Sequence, residues 1–217
     1  SLKPNFSNLI GAGWLSLGGV YVLTNIRGGG EYGPFWHQSA LKKNRDRAYQ
    51  DFFAIAEDLF AKKVTAPKHL GAQGGSNGGL LMGVCYTQRA DLFSAINCGV
   101  PLLDMHRYHK LLAGYSWIAE YGNPDDREDG EYIRKLSPYH RIDKEKKNYP
   151  VMFLHTSTKD DRLHPGHARK FAAKLEEFGH PYYYHENIDG GHVGASNLKE
   201  MAFTRALDYA FFWKHLT

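Results

Sequence analysis

Short apolar and aromatic runs alternate with longer stretches of helical period along most of this chain, and that alternation predicts a parallel sheet built from βαβ units. The predicted strands are 20–26, 68–73, 93–98, 150–156 and 181–188. Between the first two, 47–63 reads as a helix. Ala48, Phe52, Phe53, Ala56, Leu59 and Phe60 recur there at three- and four-residue steps, while Arg47, Asp51, Asp58 and Lys62 populate the other faces. Segments 77–89, 165–178 and 196–215 behave alike, with Pro165 near the start of one and Gly179 just past its end. The stretch 102–148 breaks the rhythm: it holds helical pieces around 106–120 and 128–136, no strand, and sits where an insertion or cap would. No repeat, low-complexity segment or linker divides the chain. The expectation is one α/β domain over 1–217, a mostly parallel doubly wound sheet with a helical insertion.

Composition removes several classes. With 217 residues, 42% hydrophobic and 23% charged, the chain can bury a sizeable core, which excludes disorder and collagen. The apolar stretch Leu9–Ile26 is broken by Gly11, Gly13, Ser16, Gly18, Gly19, Thr24 and Asn25, short of the ~18 continuous apolar residues of a membrane span. The start, Ser1-Leu2-Lys3-Pro4-Asn5, lacks the layout of a signal peptide and a methionine, so the chain is expected to begin partway through a longer one. A net charge of +4 is mild, and the densest basic run, Lys42-Lys43-Asn44-Arg45-Asp46-Arg47, reads as a solvated face, not a nucleic-acid patch. Cys85 and Cys98 suit buried free thiols, which favours a reducing, cytoplasmic compartment. Among 12 histidines, the close pairs His106–His109 and His164–His167 lack the form that makes a zinc site specific.

The chemistry concentrates around one serine. Gly74-Gly75-Ser76-Asn77-Gly78-Gly79 follows a predicted strand and opens a predicted helix, the context of a nucleophile elbow. Such a turn raises the serine hydroxyl above the sheet edge and needs small residues two before and two after it, here Gly74 and Gly78. It also leaves the Asn77 N–H free to stabilise an oxyanion. In such sheets an acid and then a histidine follow on loops after later strands. Asp160 and Asp161 both stand after 150–156, and spacing does not separate them; His192 stands after 181–188 between flexible glycines, with His185 inside a strand and His215 at the end of the last helix. One motif is set aside. Gly28-x-Gly30-x-x-Gly33 formally matches a dinucleotide fingerprint, but Pro34 and two aromatics follow where a helix should open, and Asp51 falls within a predicted helix.

Taken in order, Asn25-Ile26-Arg27-Gly28-Gly29-Gly30-Glu31-Tyr32-Gly33, then Gly74 to Leu81, Asp91-Leu92-Phe93, Asp160-Asp161-Arg162 and Gly190-Gly191-His192 resemble the catalytic domain of the prolyl oligopeptidase family of serine peptidases. The resemblance implies an α/β-hydrolase fold and cleavage of short peptides after proline, with no metal or organic cofactor. It implies Ser76 as nucleophile, Asp160 as acid and His192 as base. Trp117 matches the tryptophan that stacks on the substrate proline, Tyr121 a tyrosine of that pocket, Leu102 and Leu163 its apolar walls, and Arg162 the arginine that holds a substrate carbonyl. The aromatic pair argues against the branch that cleaves after Lys or Arg. The resemblance also implies that 68–73 is the family's fifth strand and 20–26 its fourth. The β-propeller, the first three strands and a tyrosine acting as second oxyanion donor then lie outside this chain; Tyr21, Tyr32 and Tyr49 do not match that tyrosine. Alone, the chain is therefore expected to be a poor catalyst. Its unpaired sheet edge would be covered by a complementing N-terminal segment or by a second copy. Two other readings stand beside this one: a small serine esterase of the same fold, and an impaired fragment serving as an association module.

Overall fold

Four short strands carry the architecture: β1 (Gly71–Gly75), β2 (Ala95–Gly99), β3 (Val151–Ser157) and β4 (Tyr182–Asn187), all parallel and neighbouring in that order. The structure is a computed structural model and describes residues 7–192 and 197–217. The expectations for Ser1–Asn5 and for the Val193–Gly194 flank of the histidine loop fall outside those residues. The predicted strands from 68 onward are present, each within three residues of its expected start. The longer helices are α1 (Asp46–Ala61), α2 (Asn77–Gln88), α3 (Arg127–Leu136), α4 (Gly166–Phe178) and α5 (Leu198–Leu216), with shorter helical pieces before and between them.

Period-two alternation along the strands divides the core. Ile96 and Cys98 of β2 and Met152 and Leu154 of β3 face Leu80, Tyr86, Phe171 and Leu175 from α2 and α4, all buried. Tyr86 stacks on Tyr149 at 4.3 Å and meets Phe171 edge-on at 5.9 Å, so the two crossover helices lock together over one face. The opposite face packs Ala95 and Phe153 against Phe211, Phe212 and Leu216 of α5. A Cβ at Gly71 would stand 2.6 Å from the Phe212 ring, so α5 reaches the sheet only because that position has no side chain. A buried carboxylate joins this face. Asp208 accepts from Asn97 Nδ2 at 2.7 Å, Gln73 Nε2 at 3.3 Å and Arg205 Nη1 at 3.0 Å, pinning α5 across β1 and β2.

The predicted strand 20–26 does not form. The segment runs past β1 without a ladder, and Val20 is 68% exposed, with Tyr21, Val22 and Leu23 also exposed. A strand needs a neighbour to satisfy its backbone, and among the described residues none lies close enough to pair. Between this segment, β1, α1 and α5 lies an apolar cavity of about 440 Å³, lined by Leu59, Phe93, Phe212 and Trp213 among others. No helix among the described residues is long and apolar enough to cross a membrane.

The insertion 102–148 is helical, as its pattern predicts, and is stitched to α4 by a buried polar cluster. Asp104 pairs with Lys170 and Arg107, its backbone N–H donates to His167 Nδ1 at 3.1 Å, and His106 stacks on His140 at 3.6 Å. Burial holds both His140 and His167 down to about pKa 4, and His106 lowers His140 further. The unfolded chain, with histidines near 6.5, therefore binds more protons than the folded one between about pH 6.5 and 4. Stability is fully present above that window and is lost as pH falls through it, by up to about 3 kcal/mol for the buried His167 and by less for the partly exposed, solvent-screened His140. Urea midpoints measured from pH 8 to 4 should show this decline, and His167→Gln, which keeps an acceptor for Asp104, should flatten it; an unchanged slope would remove His167 from the account.

Candidate active site

Because all four strands are parallel, the loops leaving β1, β3 and β4 emerge at one edge of the sheet, where open α/β folds build their sites. Ser76 follows β1 directly and has φ 59° and ψ −117°, a left-handed conformation that costs a non-glycine residue about 1–3 kcal/mol. Its N–H donates to Gly99 O at 2.9 Å, which ties the turn to the end of β2. Gly74 is required: a Cβ there would lie 2.4 Å from Gly78 O. The expectation for Gly78 is corrected, since a Cβ on it would meet nothing within 4 Å; the second tight position is Gly79, 2.7 Å from Pro101 Cα. Asn77 is the first residue of α2, and its N–H has no acceptor among the described residues.

The two aspartates differ in burial and hydrogen bonding. Asp160 is 4% exposed; its Oδ1 accepts from Arg162 N at 2.9 Å and Leu163 N at 2.8 Å, and its Oδ2 lies 2.8 Å from His192 Nδ1. Asp161 is exposed and makes no such contact. The structure thus brings Asp160 and His192 together, whereas no hydrogen bond joins Ser76 Oγ to His192 among the described residues. Arg162 is exposed and its guanidinium has no partner among them, while its carbonyl accepts from Ala113 N at 3.3 Å and so ties the acid loop to the 112–117 turn.

The pocket residues divide. Trp117 is half-buried at the end of that turn. Tyr121 is buried in the following helix, Ile118–Tyr121, with its ring edge-on to Tyr108 at 5.6 Å and its hydroxyl donating to Asn77 Oδ1 at 2.8 Å. No ring contact joins Trp117 and Tyr121 among the described residues. Leu102 is 1% exposed and Leu163 is 4% exposed, and both belong to the buried core.

Sequence reasoning passed over Arg45, counted there with a solvated basic run. Lys42, Lys43 and Arg47 are exposed as expected, but Arg45 is 6% exposed. Its Nη1 pairs with Glu120 and its Nη2 donates to Asn77 Oδ1 at 2.5 Å. Burial works against the guanidinium charge, but Tyr49, Tyr121 and Glu120 outweigh it and hold the pKa above its ordinary value. The glycine loop 28–33 is pinned from α1 instead of binding through it: Asp51 accepts from Arg27 N at 2.9 Å and Arg27 Nε at 2.8 Å. A one-turn helix, Pro34–Gln38, does open at Gly33, contrary to expectation, but no strand precedes the loop and Asp51 is occupied. The histidine pairs are likewise separate, His109 on Asp125 and His164 on the Gly166 N–H, and no group of three metal-ligating side chains occurs among the described residues. Cys85 and Cys98 are buried and unpaired.

Residues 4–217 match the prolyl oligopeptidase family. The chain belongs to that family. It is 54% identical to an uncharacterized peptidase, y4nA, of Sinorhizobium fredii over 99% of this chain and 30% of the relative. It is 37% identical to a prolyl endopeptidase of Dictyostelium discoideum over 91% of this chain and 27% of that one. Among solved structures, a post-proline cleaving enzyme from Rickettsia typhi superposes with a TM-score of 0.95 at 44% identity, over 98% of this chain and 31% of the other. The fold is accordingly that of an α/β-hydrolase, and the chain spans less than a third of the length of these family members.

Proposed function

We propose that this prolyl oligopeptidase family chain carries the catalytic centre of a serine peptidase that cleaves short peptides after proline. Ser76 Oγ attacks the scissile carbonyl, His192 Nε2 takes its proton, and Asp160 holds the imidazole so that Nδ1 keeps its hydrogen. The Asn77 N–H supplies one oxyanion donor. His192 then returns the proton to the leaving amine, and water releases the acyl group by the same route in reverse. The observation that carries the reading is the Asp160–His192 pair, formed at the sheet edge on which the strained Ser76 also stands. Arg162, with no partner of its own among the described residues, is proposed to hold a substrate carbonyl. A reducing, cytoplasmic setting belongs to the same proposal and is supported by the two unpaired buried thiols.

The preference for proline is assigned to Trp117, whose flat indole offers that ring a large apolar face. Trp117→Ala is expected to lower kcat/KM on a prolyl amide by about 10–100-fold, the few kcal/mol of an apolar stacking contact, while changing acetate ester hydrolysis little. Equal losses on both substrates would point to an esterase. The β1 edge, which pairs with no further strand among the described residues, and the cavity beside it favour a further element of the proposal. A strand from elsewhere in the longer polypeptide, or from a second copy, completes the sheet there and brings the second oxyanion donor.

A further inference from the structure

One buried side chain joins the elbow to the pocket. Arg45 stands just before α1, far in sequence from both, and its planar fork reaches two acceptors in different directions: Glu120 through Nη1 and Asn77 Oδ1 through Nη2. Its guanidinium carbon lies 5.0 Å over the Tyr121 ring, and the Tyr121 hydroxyl donates to the same Asn77 Oδ1 at 2.8 Å. Asn77 Oδ1 is thereby held from two sides. The second carboxylate oxygen of Glu120 is taken by His37 Nε2 at 2.9 Å, so the short helix Pro34–Gln38 closes the outer end of the arrangement.

The energetics favour a positioning role over a purely structural one. A buried ion pair loses hydration that its mutual attraction repays only in part, and apolar residues of similar volume commonly serve stability as well or better. Arg45 also leaves its Nε without a partner, a further cost. What the arrangement supplies that apolar packing would not is direction: it fixes the side chain of the residue whose N–H faces the oxyanion and, through Glu120 and Tyr121, the turn that carries Trp117.

We propose that Arg45 is a positioning residue that couples the oxyanion donor Asn77 to the Trp117–Tyr121 turn, so that substrate placement and oxyanion stabilisation are set by one clamp. This rests on the reading of Ser76 as nucleophile. Lysine cannot replace the clamp, because a single ammonium does not span both acceptors in the guanidinium plane.

The test compares Arg45→Met, Arg45→Lys and the double variant Arg45→Met/Glu120→Gln in the purified full polypeptide. The thermal midpoint, and kcat and KM on a prolyl amide per fluorophosphonate-titrated site, are read for each. Arg45→Met should lose both stability and turnover, since it strands a buried carboxylate and frees Asn77. The double variant removes the stranded charge, so its midpoint should recover, while kcat stays about 10–100-fold low, the scale of a small misplacement at the reacting centre. Arg45→Lys, which keeps a charge for Glu120, should fold and still lose about 10-fold or more in kcat with little change in KM. Wild-type kcat in Arg45→Lys, or kcat recovering together with the midpoint in the double variant, would overturn the clamp while leaving the nucleophile assignment intact. Absence of label on the wild-type protein would overturn the nucleophile assignment, and the clamp with it.

Discussion

Ser76→Ala is expected to lower turnover of a prolyl amide by about 10⁴–10⁶-fold, the range seen when a serine nucleophile is removed from an otherwise intact site. The loss should fall on kcat, because the substitution removes the attacking atom and leaves the pocket, Asn77 and the Asp160–His192 pair in place. The thermal midpoint should hardly move. Alanine tolerates φ 59° no better and no worse than serine, and Ser76 Oγ makes no hydrogen bond among the described residues that the fold would lose. Steady-state kinetics and a thermal melt on the same preparation check both halves. A variant that retains a hundredth of wild-type kcat would place the nucleophile elsewhere.

Asp160→Asn is expected to cost nearly as much, about 10⁴-fold in kcat, with the fold intact. Asp160 Oδ1 already accepts from the N–H groups of Arg162 and Leu163, and an asparagine carbonyl can keep both bonds. Its amide nitrogen must then face His192 Nδ1, where Asp160 Oδ2 stands at 2.8 Å. An amide donates to that nitrogen instead of accepting from it, so the imidazole hydrogen moves to Nε2, the atom that has to accept the serine proton. Asp161→Asn is the control. Its side chain is exposed and clear of His192, and it should run at wild-type rate. A deficit shared equally by the two variants would contradict the assignment of the acid.

Much of this arrangement was legible in the sequence because it is local. The glycine-flanked serine, the four strands from β1 onward and the helices between them follow from short-range periodicity and turn chemistry, and the order of loops along a parallel sheet points to His192 and to the pair Asp160 and Asp161, between which only the family resemblance chooses. What escaped depends on partners distant in the chain. Residues 20–26 have the composition of a strand but no neighbour to pair with among the described residues, so propensity alone misplaced them. Gly79, not Gly78, is the crowded glycine because Pro101 packs on it, which no local spacing reveals. Arg45 reads as solvated among its charged neighbours, and only the approach of Glu120 and Asn77 buries it. Asp208 is buried by Asn97 and Gln73, partners that lie on strands far from it in the chain.

The most direct test of the whole account is to react the purified protein with a fluorophosphonate and locate the adduct by peptide mass spectrometry. The account predicts one labelled peptide, with the phosphonyl group on Ser76, in the wild type, much slower labelling in Asp160→Asn, and none in Ser76→Ala. Label on any other residue of the wild type, or an adduct that persists in Ser76→Ala, would contradict it.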